Sequence, residues 1–295
     1  MKPRRLFISF SGGETSGYMT LWLLKNKAHE YDEVIILFAN TGQENEATLQ
    51  FVHLCSLMFN HPVIWIETNI NLENKAKSSF RVVDFKSADR TGRVFEDVIK
   101  AYGLPNPSWM HCTRELKTRP MTKYLRSIGW NAGSYDTAIG IRADEIDRVD
   151  AKYKEHRFYY PLAFEHPTTK PQVNTFWKHQ NFRLQLKGYQ GNCKWCWKKS
   201  LRKHMTLITE NPEYFDFPER MEKEYGHINP RSDLPDRVFF RSNRDVAAIR
   251  AMAAAGGFEP ASDDSVVYDE ELDASYGCSQ SCEIDFAEDL DEVEV

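Results

Sequence analysis

Hydrophobic positions in the first seventy residues follow two alternating periods. Leu6 to Phe10 alternates through β-branched and aromatic side chains, Ser11-Gly12-Gly13 interrupts the run, and Thr15 to Met19 leads into Leu21, Leu23 and Leu24. That pattern predicts strand, glycine turn and helix. Val34-Ile35-Ile36-Leu37-Phe38 is a continuous apolar run closed by Asn40-Thr41-Gly42, as expected of a strand buried on both faces. Leu49, Val52, Cys55 and Phe59 stand at helical spacing within Glu46 to Phe59, and Val63-Ile64-Trp65-Ile66-Glu67 is the next strand. The order βαβαβ predicts an α/β fold with a doubly wound parallel sheet.

Beyond this the pattern weakens. Leu72 to Asn106 is mostly polar, with a helix expected around Phe95 to Tyr102. A helix over Leu116 to Ile128 follows Cys112-Thr113-Arg114, and Tyr135 to Ile141 has the pattern of a strand. These place the α/β domain at residues 1–162. Helices are expected over Trp177 to Lys187, Lys198 to Thr209 and Val246 to Ala255, the last ended by Gly256-Gly257. Residues 163–257 therefore form a mostly helical part containing Cys193 and Cys196, and 258–295 an acidic, flexible tail. No internal repeat or sustained heptad occurs.

Composition narrows the class. The chain has 295 residues, 41% hydrophobic and 27% charged, enough to bury a core, which excludes general disorder. The longest apolar run, Val34 to Ala39, is far short of the ~20 residues that span a bilayer, and Met1-Lys-Pro-Arg-Arg leads into a strand without a signal-peptide core. A cytoplasmic protein without a membrane partner is expected. The net charge of −5 is unevenly spread, because Asp263 to Val295 holds 13 acidic residues and no Lys or Arg. The first 262 residues carry 38 cations against 30 anions, about +8. A basic body suits phosphate-rich ligands, nucleotide or nucleic acid, and the acidic end reads as a solubilising tail.

Ser11-Gly12-Gly13-Glu14-Thr15-Ser16 lies where a strand hands over to a helix, so backbone N–H groups and the helix N-terminus converge on a spot that suits an anion. The competing reading is a glycine turn whose hydroxyls cap the helix. Of six cysteines, Cys55 sits on the apolar stripe of its helix and reads as a small buried hydrophobe. Cys193-Lys-Trp-Cys196 has the spacing of a metal or iron–sulfur site, with a thioredoxin-like redox pair as the rival.

Four ordered segments carry a family resemblance: the Ser-Gly-Gly-x-x-Ser loop; Phe38-Ala39-Asn40-Thr41-Gly42-Gln43-Glu44; Cys112-Thr113-Arg114-Glu115-Leu116-Lys117-Thr118-Arg119-Pro120; and Gly140-Ile141-Arg142-Ala143-Asp144-Glu145. Together, over roughly residues 7–199, they resemble the phosphoadenosine-phosphosulfate reductase family of the adenine nucleotide alpha-hydrolase-like fold. The resemblance implies an adenine nucleotide (a sulfonucleotide or ATP) across the sheet's carboxyl edge. Its anionic end would lie in the loop Ser11, Gly12, Gly13, Glu14, Thr15 and Ser16, and its adenine against Asn40, Thr41 and Gly42. Arg114, Lys117 and Arg142 would supply positive contacts. One departure stands out: Thr15 occupies a position where related ATP-pyrophosphatase loops carry an acid that anchors Mg²⁺, and Glu14 puts a carboxylate beside the anion site, pointing to solvent or holding a metal itself.

The same resemblance implies a [4Fe-4S] cluster on Cys112, Cys193 and Cys196, with Cys278, Cys282, His111 or no protein group as fourth ligand; zinc is the alternative. It implies that Cys278 or Cys282 attacks sulfur, that Lys117 and Arg142 stabilise transition-state charge, and that a thioredoxin-like reductant resolves the product. Two other readings stay open. One is ATP-dependent sulfur transfer to nucleic acid, with Lys194-Trp195-Cys196-Trp197-Lys198-Lys199 meeting the backbone and stacking on bases; the rival for that segment is two Trp packed around a metal site. The other is a non-catalytic nucleotide-binding module. The oligomeric state is left open.

Overall fold

Six strands, β1 (Arg5–Ser9), β2 (Glu33–Ala39), β3 (Val63–Asn69), β4 (Ser79–Val83), β5 (Asp136–Ala138) and β6 (Phe158–Tyr159), form one sheet in the order β4-β3-β2-β1-β5-β6. This computed structural model describes residues 3–191, 193–229, 233–263 and 269–273. Every pairing is parallel except β3 with β4. The chain winds outward from β1 through β2 to β3, then returns to the other side of β1 as β5. The expected doubly wound α/β fold is present, with its topological switch between β1 and β5.

Strand alternation decides which side chains meet which helices. Leu6 and Ile8 of β1 pack with Ile36 and Phe38 of β2 against Met19 and Leu23 of α1 (Glu14–Asn26) and Leu49, Val52 and Cys55 of α2 (Glu46–Phe59). Phe7, Leu37 and Ile66 point the other way, onto Met121 and Leu125 of α4 (Arg119–Ser127). The continuous apolar run of β2 is thus buried on both faces. Each such side chain taken fully from water contributes roughly 1.5–3 kcal/mol. Cys55 is the buried hydrophobe expected, and burial pushes its thiol pKa up.

Two strands escape the hydrophobic pattern. β4 is an edge strand whose Val82 is exposed and whose Arg81 pairs with buried Glu67, so no alternation of apolar residues marks it. β6 has two residues and is held by its pairing with β5. The helix expected over Trp177 to Lys187 is also corrected. The helix is α6, Lys170–Lys178, following α5 (Pro161–Phe164). Thr169 and Gln172 form a capping box and Pro171 lies in the first turn, so the helix begins earlier and 179–187 runs on without regular structure. That shift matters to the site.

A second core gathers α3 (Arg93–Tyr102), α7 (Leu201–Glu210), α8 (Asp216–Tyr225) and α9 (Val246–Ala255) around Trp195, Trp197, Phe215 and Phe239, giving the expected helical, cysteine-containing part. Of the expected tail, α10 (Glu270–Asp273) is tied down through Asp273, which takes a two-pronged ion pair from Arg202 at 2.8 and 2.9 Å. No helix among the described residues is long and apolar enough to cross a membrane.

Glu222 of α8 accepts backbone N–H groups from Phe239 at 3.0 Å and Val246 at 2.9 Å, stitching α8 to the start of α9. Burial nevertheless pushes its carboxyl up to about 7. A carboxyl whose folded pKa exceeds its unfolded value stabilises fully below about 4.5, and that contribution is lost as pH rises through about 7. Urea titrations between pH 5 and 8 should show stability falling by up to about 1.4 kcal/mol per pH unit from this group. In Glu222→Gln that slope should vanish; an unchanged slope would refute the assignment.

Candidate functional site

The turn from β1 to α1 is shaped by one glycine. Gly12 takes φ +81°, and a Cβ there would stand 3.0 Å from carbons of Phe38, Thr48 and Val52, so only glycine fits without displacing the core. Gly13 caps α1 without a side-chain hydrogen bond, leaving the first N–H groups and the positive end of the helix dipole toward the sheet's carboxyl edge. The serine hydroxyls brace the turn instead of capping the helix: Ser16 donates to the Gly13 carbonyl at 2.9 Å, and Ser11 donates to Ser16 Oγ at 3.0 Å.

Thr15 and Glu14 are both spoken for, in different ways. Arg142, 5% exposed, donates from Nη1 to Thr15 Oγ1 at 3.0 Å while held by Asp144 at 2.9 Å and Glu145 at 3.1 Å. With its oxygen accepting from a guanidinium, the Thr15 hydroxyl keeps its own proton to donate outward. Glu14 receives Arg183 in a two-pronged pair at 3.1 Å on each oxygen. Burial raises its carboxyl pKa even against that pairing. The carboxylate therefore neither points freely to solvent nor stands open to a metal.

A cavity of about 360 Å³ opens beside this turn, at the carboxyl ends of β1 and β5. It occupies the switch point where doubly wound sheets bind ligands, and its size suits a small molecule. Ser11, Glu14, Thr15 and Ser16 form one wall, with cations Lys170, Arg183 and Lys187 around it and Ile139, Pro171, Val173, Leu184 and Leu186 as the apolar side. Arg183 is engaged by Glu14, and Lys187 pairs with Glu210 at 3.0 Å. Lys170 has no ion-pair partner among the described residues. On the rim, Gly188 N–H donates to both oxygens of Asp263, at 2.8 and 3.0 Å.

The turn after β2 serves a second place. Asn40 donates to Glu67 at 2.6 Å and to the Asp89 carbonyl at 2.8 Å, and the wholly buried Glu67 also receives Arg81. The Thr41 N–H and hydroxyl both donate to Glu44 at 2.9 Å. Glu44 then bridges to Cys193 by backbone pairing, Lys194 N–H donates to the Gln43 carbonyl at 2.9 Å, and Trp195 Nε1 donates to Gln43 Oε1 at 2.7 Å. This stitching seats the Cys193 to Cys196 segment, and Cys112, Cys193 and Cys196 line one small cavity of about 20 Å³ with Thr41 and Lys117.

All three are free thiols, and they are the cysteines that the family resemblance implies as a ligand set. Among the described residues, however, no three His, Cys, Asp or Glu side chains form a group that could hold a metal ion, so the thiols share a cavity without forming a coordination shell. His111 is not on that cavity wall; it lies against Tyr102, its Nε2 has no hydrogen-bond partner among the described residues, and burial holds its imidazole down to about 4. His204 supports the Cys196 turn from behind, its Nε2 at 3.0 Å from the Cys196 carbonyl. Burial holds that ring down to about 3, so it is neutral and Nε2 donates.

No family model matches the chain. Over 283 residues it is 32% identical to the "Uncharacterized nin region protein ORF290" of Escherichia phage lambda, a match covering 94% of each chain. The chain belongs to the family of that phage protein. At this coverage, membership in the ORF290 family takes in the sheet and the helical part alike.

The predicted site residues divide between two places. Ser11, Gly13, Glu14, Thr15 and Ser16 line the switch-point cavity, Gly12 shapes it from beneath, and Arg142 reaches it through Thr15. Lys117 and Thr41 belong to the cysteine cavity; Asn40 is wholly buried as a brace, and Arg114 faces a separate groove. Trp195 and Trp197 are buried in the second core, so the base-stacking reading of 194–199 gives way to its rival, packing beside the cysteines. Cys278 and Cys282 lie outside the described residues. The pattern reading missed Lys170, Arg183 and Lys187; the Thr169-x-x-Gln172 capping signature was the signal that would have started α6 earlier and set Arg183 in a loop.

Gly42 is a sharp local constraint on the cysteine side. It takes φ +77°, and a Cβ would fall 2.4 Å from Asp89 Oδ2. Gly42→Ala should lower stability by roughly 1–3 kcal/mol and raise the reactivity of Cys193 to a thiol probe. Wild-type stability with unchanged thiol kinetics would count against the turn's role.

Proposed function

We propose that the chain is an enzyme of the phosphoadenosine-phosphosulfate reductase type that binds an adenine nucleotide at the switch point and acts at its activated phosphate or sulfate. The observation carrying this reading is the open N-terminus of α1 on the wall of the switch-point cavity, beside a threonine hydroxyl oriented by Arg142 and beside Lys170, which has no ion-pair partner among the described residues. Backbone N–H groups, a hydroxyl and an ammonium are the donors a phosphosulfate or phosphate chain requires. The apolar side formed by Ile139, Pro171, Val173, Leu184 and Leu186 offers a surface for the adenine, in place of the expected Asn40, Thr41 and Gly42. Arg142 is a positioning residue, acting through Thr15.

In the reductase reaction a thiolate of Cys278 or Cys282 attacks the sulfate sulfur, the bond from sulfur to the bridging oxygen breaks, and the nucleotide phosphate leaves. A dithiol reductant then attacks the cysteine sulfur, releases sulfite and is itself oxidised to a disulfide. The donors around Thr15 and Lys170 would stabilise charge building on the leaving phosphate. Cys112, Cys193 and Cys196 are the donor set for a [4Fe-4S] centre or zinc: three thiols on one cavity suit a thiophilic metal, although they would have to draw together to coordinate it. Such a centre would supply redox or electrostatic support beside Lys117.

The alternative within enzymes is ATP-dependent sulfur transfer to nucleic acid. The gathering of three thiols on one cavity in the body of the protein favours it as the place where sulfur would be carried.

Calorimetry with ATP, adenylylsulfate and phosphoadenylylsulfate tests the nucleotide site. Binding is expected for at least one of them, and Thr15→Val should weaken it about 10-fold or more, the scale of a hydrogen bond to a charged group. Arg142→Ala should reproduce the loss of Thr15→Val. No heat with any of the three ends the proposal, while sulfite release with dithiol separates the reductase from a pyrophosphate-releasing transferase. Separately, protein prepared without oxygen should contain iron with sulfide, or zinc, and lose it in Cys193→Ala; metal-free wild type would remove the centre.

A further inference from the structure

The π-helical turn Arg114–Thr118 separates two unlike surfaces. Cys112, Thr113, Leu116 and Lys117 face the cysteine cavity, whereas Arg114, Glu115 and Arg119 face a groove of about 510 Å³. The groove runs between the start of β4 and α4, and no residue of the nucleotide site lines it. Five cations do: Lys75, Arg114, Arg119, Lys123 and Arg126, against the single carboxylate Glu115.

Their arrangement is that of a track. Arg119, Lys123 and Arg126 recur at i, i+4 and i+7 on α4, a row about 10 Å long at 1.5 Å per residue, and Lys75 extends it from the opposite wall. Glu115 is already committed, to Arg114 at 3.0 Å and Arg119 at 2.7 Å, so it orders the row without cancelling it. Lys75 and Arg126 are exposed and have no ion-pair partner among the described residues. Ser78 and Ser79 also line the groove, and the Tyr102 ring lies under Lys75 at 4.8 Å. Arg and Lys with Ser and Thr are the side chains that contact phosphate and sugar, and a positive groove holding an aromatic ring is how single strands are bound without sequence preference. A row of this length exceeds what one phosphate can bridge, and a concave channel admits one strand more readily than a duplex.

We infer that this groove binds the phosphate backbone of a single-stranded polynucleotide, next to the cysteine cavity and apart from the nucleotide site. The inference does not depend on the switch-point cavity binding a nucleotide.

Fluorescence anisotropy of a labelled twelve-nucleotide thymidine or uridine strand with the full chain, across 50–300 mM salt, tests it. Binding should weaken with salt at a log–log slope of about −0.7 for each phosphate neutralised. The double variant Lys75→Glu/Arg126→Glu should weaken binding at least 10-fold and make the slope shallower by about 1.4, two phosphates' worth, with a circular dichroism spectrum like wild type. Any nucleotide heat at the switch-point cavity should be unchanged in that variant. Absence of strand binding at 50 mM salt, binding indifferent to the double variant, a duplex bound more tightly than the strand, or displacement by equal charge of tripolyphosphate or polyglutamate would each overturn the inference. Loss of nucleotide heat in the wild type with strand binding intact would end the reading of the switch-point cavity and leave this one standing.

Discussion

Everything at the sheet's carboxyl edge depends on how closely β1 can hand over to α1. Three side chains from β2 and α2 stand at contact distance from the missing Cβ of Gly12, which lets the chain turn directly above the sheet and aims the uncapped helix end into the switch-point cavity. A larger residue would push the turn off the core and carry the helix N-terminus with it. Arg142, arriving from beyond β5 on the opposite side of the switch, then orients Thr15, so both halves of the doubly wound sheet contribute to one anion-binding corner.

The turn after β2 carries a comparable constraint for the other place of interest. A buried carboxylate, Glu67, is tolerable only because Asn40, the Asp89 N–H and Arg81 satisfy it. The resulting rigid turn presents Gln43 and Glu44 as a docking edge for 193–195. The turn thus acts as a clamp that holds the Cys193 to Cys196 segment against the carboxyl end of β2.

The π-turn at Arg114–Thr118 joins these themes. Its wider winding sends successive pairs of side chains to opposite surfaces, Leu116 and Lys117 inward to the thiols and Arg114 and Glu115 outward to the cationic groove. Thiol chemistry and polyanion binding would then lie on two faces of one short segment. The buried Trp195 and Trp197 serve packing, which leaves the groove as the candidate polyanion surface.

Local signals determined the parts with strong periodicity. Strands β1 to β3, helices α1, α2 and α9, and the glycine turn at Ser11–Ser16 were legible because burial on one or both faces imposes a period that the sequence must carry. The edge strands β4 and β6 were not, since backbone pairing with a neighbour demands no apolar pattern of its own. Spacing marked Cys193 and Cys196 as a pair and the family resemblance implied Cys112 with them, whereas the sharing of Glu14 by Arg183, the split of Lys117 from Arg142, and the row of cations on α4 facing Lys75 arise only when segments far apart in sequence meet. A side chain's type is written in the chain, but its partner is chosen by the packing of elements that no local window contains.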